Sequence, residues 1–367
     1  MLYNVIGLMS GSSLDGLDIA YVQLQETAGR WSFNILQADC FPYSHEWASK
    51  LANAIQLPAA EYQLLHSAYG RYTGEAVNAF IDEHHLHHQV HLIASHGHTS
   101  FHMPEHRMTA QLGDGAAIAA VTGLPVVSDL RAMDIAFGGQ GAPIVPIGEK
   151  LLLNEYGLFL NLGGIANLSC NQGGNYVAFD VCPANRVLNL LIAPAGKAFD
   201  EDGATAARGQ VDTGMLEKLN GLGYYQQPFP KSLANDFGNN IVFAMLQQSG
   251  LSMQDALCTY TEHIAQQVKH AAAAVLPAEL TETTNRKLLV TGGGALNSFL
   301  VQRISSLLAE ISVDLVVPDK QLINYKEALV MALIGVLRWR EEYNVLSSVT
   351  GASRNSINGA LWLGGEA

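Results

Sequence analysis

The chain has 367 residues, 49% of them apolar, and its 33 acidic against 20 basic side chains give a formal charge of −13. That length exceeds what one core usually supports, so two domains are expected, and the acidic balance speaks against nonspecific nucleic-acid binding, which needs a basic surface. No apolar run is long enough to span a bilayer and the N-terminus lacks a basic-then-apolar leader, so the expectation is a soluble cytoplasmic protein with no membrane partner.

Taken in order, residues 3–9, 17–24 and 31–36 are apolar runs separated by polar turns and read as a β-meander. Leu65, Ala68, Tyr69, Tyr72, Ala76, Ala79 and Phe80 recur at the spacing of one helical stripe. A parallel strand at 91–95, a helix at 114–121 and a short strand at 125–128 complete a βαβ unit. From about Leu158 the order begins again, with strands at 158–162, 165–170 and 176–179. A helix follows Pro183 and ends at Pro194 and Gly196. Beyond it come a helical stretch over 239–276, strand 287–291, helix 296–311, strand 313–317 and an alanine-rich helix over 326–339. This α/β pattern predicts two similar domains around a cleft. The first covers 1–135, completed by the tail 346–367, and the second covers 136–345. The segment Phe137-Gly138-Gly139-Gln140-Gly141-Ala142-Pro143 reads as the hinge crossing.

Three β-runs break into glycine-rich turns: Met9 to Asp18, Asn161-Leu162-Gly163-Gly164-Ile165-Ala166-Asn167, and Thr291-Gly292-Gly293-Gly294-Ala295-Leu296-Asn297. Glycine lets backbone N–H groups approach phosphate oxygens, so three such turns suggest a small nucleotide held from several sides. A single turn of this kind is equally a structural hairpin or strand-to-helix connection. Cys40, Cys170, Cys182 and Cys258 have no zinc or disulfide spacing and read as reduced thiols. The crowd His84, His85, His87, His88 and His91 lacks a cysteine or acid at ligand spacing and reads as a solvated helix end; no metal ligand is assigned.

These stretches, with Ser95-His96-Gly97-His98-Thr99, Gln111-Leu112-Gly113-Asp114-Gly115 and Asp129-Leu130-Arg131, resemble the anhydro-N-acetylmuramic acid kinases nearly end to end and in the same order. The resemblance implies the RNase H-like fold of actin, Hsp70 and hexokinase, ATP with Mg²⁺ as cofactors, a homodimer, and the amino sugar released in cell-wall recycling as substrate. It identifies Gly11, Ser12, Ser13, Leu14, Asp15, Gly16, Leu17 and Asp18 as the first phosphate loop, with Asp15 or Asp18 facing the magnesium hydration shell. Gly163, Gly164 and Asn167 match the second loop, and Gly292, Gly293, Gly294 and Asn297 the turn toward adenosine.

By the same resemblance Asp180 is the base that activates water, while His96, Thr99, Arg131 and Glu327 lie on the sugar. Each has a plainer reading. Asp180 stands between a strand and a helix, where an aspartate also serves as a cap; Arg131 suits a surface or interdomain salt bridge, and Glu327 opens the late helix as an ordinary acid. The chain departs from the family pattern at Cys182 and Ala184, where the family has glycines, and at His98, where it has glutamine. The reading is therefore an ATP-dependent kinase that opens the 1,6-anhydro bridge with water and phosphorylates O6. Its alternatives are a kinase of another amino sugar, or an ATP-binding chaperone-like protein without phosphotransfer.

Overall fold

The computed structural model describes residues 1–11, 13–172, 175–234, 236–276 and 285–365. The chain forms two compact units, one of Met1–Leu153 with Tyr325–Ala367 and one of Asn154–Asn324. The first contains strands β1 (Leu2–Ser10), β2 (Gly16–Thr27), β3 (Arg30–Pro42), β4 (Leu92–Met103), β5 (Met108–Leu112) and β6 (Val126–Ser128). The second contains β7 (Leu158–Leu162), β8 (Ile165–Gln172), β9 (Asn175–Pro183), β10 (Lys287–Thr291) and β11 (Asp314–Val316), and the chain returns to the first sheet with β12 (Ala360–Trp362).

The two sheets share one plan. The first runs β12-β6-β4-β1-β2-β3 with β5 paired to β4, and the second runs β11-β10-β7-β8-β9. In each, a three-stranded antiparallel meander is extended by parallel strands on its first strand, β4 on β1 and β10 on β7. The expected doubled α/β architecture is present.

Packing in the first unit follows the period-two alternation of β1. Ile6 and Leu8 enter a core with Val77, Phe80 and Ile81 of the helix Ala59–Glu83. Gly7, between them, points to the opposite face, where a Cβ would collide with the Ala328 carbonyl of the helix Lys320–Trp339. A bare glycine there lets the helix lie against the sheet. The second unit is built on the helix Met253–Val275, capped by Ser252, whose Oγ accepts from the Asp255 N–H at 3.1 Å. Its Ile264 and Val268 share a core with Leu160, Leu168, Val187, Val290 and Leu300.

Several expectations are corrected. The helical stretch over 239–276 is broken: a π-helical turn (Phe237–Phe243) and a short helix (Ala244–Gln248) stop where Gly250 takes φ +74°, and Ser252 starts a new helix. The late helix begins at Lys320 rather than 326, because Asp319 Oδ1 accepts from the Leu322 N–H at 2.8 Å and caps it. Strand β5 has no counterpart in the sequence reading. The segment 137–143 lies inside the first unit, fastened by Gly141 N–H to Asp134 Oδ2 at 2.8 Å and by Gln140 N–H to the Thr350 carbonyl at 2.8 Å. The chain passes between units at 153/154 and 324/325 instead. Among the described residues no helix is long and apolar enough to cross a membrane, and the four cysteines are free.

Candidate active site

The β1–β2 turn carries the first glycine loop. Ser10 ends β1 opposite Leu17, and Asp15 folds the turn on itself: its Oδ1 accepts from Ser13 Oγ at 2.6 Å and from the Gly16 N–H at 3.1 Å. Leu14 adopts φ +58°. The members of this loop serve different ends. A Cβ on Gly16 would meet Cys40 Sγ at 2.6 Å, and Leu17 is buried in the core, so both serve the sheet. Gly11 has only Ser13 Oγ at 3.4 Å near its absent side chain and presents an open face. Ser12 lies outside the described residues. His98, the departure from the family, anchors the start of the loop: its Nδ1 bonds Ser10 Oγ at 2.9 Å, and Tyr43 donates to the same oxygen at 2.7 Å.

Asp18 pairs with Met9 across the hairpin, and its pKa is pushed up to about 6. Burial is the main cause, opposed by a hydrogen bond with Cys40 and reinforced by the Asp15 and Glu327 carboxylates. The folded state thus holds a proton that the unfolded chain has lost. Below about pH 4 the carboxyl is neutral in both states; stability then falls as pH rises toward 6 and stays lower above it, by roughly 2 kcal/mol after allowing for partial exposure. Asp18→Asn is therefore expected to raise the melting temperature at pH 7.5 without metal, with the gain gone at pH 4. Equal melting temperatures at pH 7.5 would refute this account.

His96, Arg131 and Glu327 belong to the same unit. Arg131 donates Nε–H to His96 Nε2 at 2.9 Å and Nη1–H to the Gly141 carbonyl at 2.6 Å. His96 Nδ1 lies 2.8 Å from the Gly97 carbonyl, so the ring is neutral, donating there and accepting from arginine. Burial and the arginine charge hold its pKa down at about 3. Both ring nitrogens of His96 are thereby engaged, and its observed part is to orient Arg131. Burial also lowers Arg131, to about 10, while Glu327 and Asp134 favour its charge. Glu327 does not open its helix but sits two turns in, facing Asp18 and Arg131 electrostatically. Thr99 is exposed on β4, opposite Gln111.

In the second unit the 163–164 turn is docked on the start of the helix Asn185–Ile192. Gly163 and Gly164 carbonyls accept from the Asn185 and Ala184 N–H groups at 3.1 and 2.8 Å, and Asn185 Nδ2 donates to the Leu162 carbonyl at 2.9 Å. The glycines again divide. Gly292, at φ +81°, and Gly294 are pressed onto Asn161, Leu162 and Asn185, where a Cβ would stand 2.5 and 2.7 Å from its nearest neighbour. Gly163, Gly164 and Gly293 would meet nothing closer than 3.5 Å. Thr291 Oγ1, immediately before the third turn, is buried without a partner among the described residues. Asn297 caps the helix Ser298–Ala309 through Leu300 N–H at 3.0 Å, and Asn167 pairs with both Asn161 and Asp180.

Asp180 stands inside β9 rather than beyond it, at a bulge where Asn167 opposes Asp180 and Ala166 opposes Cys182. It does not cap the following helix, whose N-cap is Ala184 without a side-chain bond. Instead the segment 231–233 clasps it: the Lys231 carbonyl accepts from its N–H at 3.0 Å, and its Oδ2 accepts from the Leu233 N–H at 2.8 Å. Tyr224 donates to its carbonyl at 2.7 Å. Burial raises the Asp180 pKa, and the Leu233 N–H opposes this only in part. The result is an oriented, half-buried carboxylate of increased basicity. Cys182 and Ala184 are fully buried in the core of this unit, and neither takes a positive φ.

Lys231, Leu233 and Tyr224 are the residues that sequence reasoning missed; a segment 44 or more residues from Asp180 carries no local sign of touching it. The histidine crowd is a surface: His84 pairs with Asp39, His87 with Asp82 at 3.0 Å, and among the described residues no three acid, cysteine or imidazole groups gather to hold a metal.

Residues 3–364 match the family model described as anhydro-N-acetylmuramic acid kinase. The relative of that name from Methylorubrum extorquens is 36% identical over 328 residues, covering 83% of this chain and 84% of the relative. Those from Gloeobacter violaceus and Haemophilus influenzae are 34% and 30% identical, covering 95% and 97% of this chain and 96% and 97% of theirs.

Proposed function

The chain belongs to the anhydro-N-acetylmuramic acid kinase family, and from that membership we propose which of its residues carry the reaction. The protein is an ATP-dependent sugar kinase of cell-wall recycling. Its substrate is 1,6-anhydro-N-acetylmuramic acid and its product the 6-phosphate of N-acetylmuramic acid. Asp180 takes a proton from water as the water oxygen bonds to C1 of the sugar. The C1–O6 bond breaks, O6 bonds to the γ-phosphorus, and the bond from that phosphorus to ADP breaks. Positioning and electrostatics supply most of the acceleration in such transfers. The observation that carries the assignment of Asp180 is its raised, half-buried carboxylate with one oxygen fixed by Leu233.

On the second unit we assign the phosphates of ATP to the turn at Gly163 and Gly164 and adenosine to Gly293, where an added Cβ would meet nothing closer than 3.5 Å, and the hydroxyl of Thr291, two residues before Gly293, has no partner among the described residues; on the first unit, Gly11 is assigned to the phosphates after the family resemblance. Arg131, oriented by His96, and Glu327 bind the sugar, with Thr99 exposed on β4, the strand that carries His96. Mg²⁺ suits the all-oxygen pair Asp15 and Asp18, since this ion keeps several waters and leans on substrate phosphates; when bound it neutralises phosphate charge. Its charge would also favour the ionised form of Asp18 and so oppose the effect of burial. We place the enzyme in the cytoplasm, in keeping with its free thiols and its use of ATP, and as a homodimer after the family resemblance.

The reaction in ¹⁸O-water tests the sequence of bonds. Label at C1 of a 6-phosphorylated product is expected; a phosphorylated sugar with its anhydro bridge intact would overturn the mechanism.

A further inference from the structure

One cation near the second glycine turn has no task in the scheme above. Arg186 is the second residue of the helix Asn185–Ile192, at the positive end of its dipole, where a cation is disfavoured. Its side chain runs over Gly164: from the position a Cβ would take on that glycine, Arg186 Cβ and Nε both lie 3.8 Å away. The Arg186 N–H also reaches the Gly164 carbonyl, at 3.4 Å. Arg186 Nε is buried and has no hydrogen-bond partner among the described residues.

A buried guanidinium N–H left unpaired is costly, and the helix end adds to that cost. One kind of partner relieves both: an anion lying over the turn. The surroundings suit it. A Cβ on Gly163 would meet only ordinary contacts, the Ile165 carbonyl at 3.5 Å and Asn161 Nδ2 at 3.6 Å, and Asn185 Nδ2 lies 3.8 Å from where a Cβ on Gly293 would stand. Carboxylates are scarce in this stretch, since the chain from Val181 to Ala195 contains no aspartate or glutamate. We propose that Arg186 is a phosphate-binding residue of this enzyme, donating Nε–H to an oxygen of the nucleotide's phosphate chain. The proposal rests on the kinase reading and extends it to a side chain that no motif marks.

Arg186→Met keeps the stem that covers Gly164 and removes the charge and donors; Arg186→Lys keeps a point charge but cannot offer Nε–H at that place. Calorimetric titration with Mg-ATP and, separately, with adenosine reads the effect, with a thermal melt confirming the fold of each variant. Arg186→Met is expected to weaken ATP ~10-fold or more and leave adenosine unchanged, with the lysine variant between. ATP affinity equal to wild type overturns the proposal. So does a parallel loss of adenosine, which would make Arg186 a prop for the turn. Wild-type protein that binds no ATP would sink the kinase reading itself, whereas wild-type binding unaffected in the variants sinks this inference alone.

Discussion

Asp180→Asn is expected to lower sugar phosphorylation by ~10²- to 10⁴-fold while leaving Mg-ATP affinity within about twofold of wild type. Asparagine keeps the size of the side chain and an oxygen to accept from the Leu233 N–H, so the clasp by 231–233 survives and the bulge in β9 is undisturbed. Only basicity is lost. The burial that raises the Asp180 pKa makes its anion a better proton acceptor than a solvated aspartate, and that advantage disappears with the charge. A purely structural Asp180 would behave differently, since the amide satisfies the same backbone donor and turnover would stay near normal. Turnover measured with the anhydro sugar, beside calorimetry with Mg-ATP, separates the two.

How far the site was legible depends on whether its cause is local. The strands of both meanders declare themselves as apolar runs bounded by polar turns, and Gly7 between Ile6 and Leu8 is explicable only once the helix Lys320–Trp339 is seen above it. The glycine turns are visible in sequence as three similar motifs, yet their members are not equivalent. Gly16, Gly292 and Gly294 exist for close packing, whereas Gly11, Gly163 and Gly293 leave space, and only neighbours distant in the chain distinguish them. The same holds for His96: the resemblance put it on the sugar, and its contact with the Arg131 guanidinium 35 residues away has no local sign in the sequence. The helix start at Lys320 had a local sign in Pro318 and Asp319 that the apolar stripe further along obscured. Cys182 and Ala184, which break the family's glycine pattern, turn out to be core positions whose small side chains the second unit absorbs.

That division among the glycines sets up the last expected result. Gly293→Val and Gly163→Val should fold normally, because a Cβ at either meets only ordinary contacts, at 3.8 Å from Asn185 Nδ2 and 3.5 Å from the Ile165 carbonyl. Both should nevertheless lose ATP affinity by ~10²-fold or more, since a branched side chain displaces the ligand from backbone groups and forfeits two or more charge-assisted hydrogen bonds. Gly292→Val should fail in the opposite sense. At φ +81° a β-branched residue is strained, and its Cβ would press on Asn161 Oδ1 at 2.5 Å and the Leu162 carbonyl carbon at 2.9 Å, for a loss of about 3 kcal/mol or more in stability. Melting curves and Mg-ATP titrations of the three variants distinguish a ligand-facing glycine from a packing one. If Gly293→Val and Gly163→Val bound ATP as the wild type does, the second and third turns would have to be removed from the nucleotide site, and Asp180 would be left as a base without a phosphoryl donor beside it.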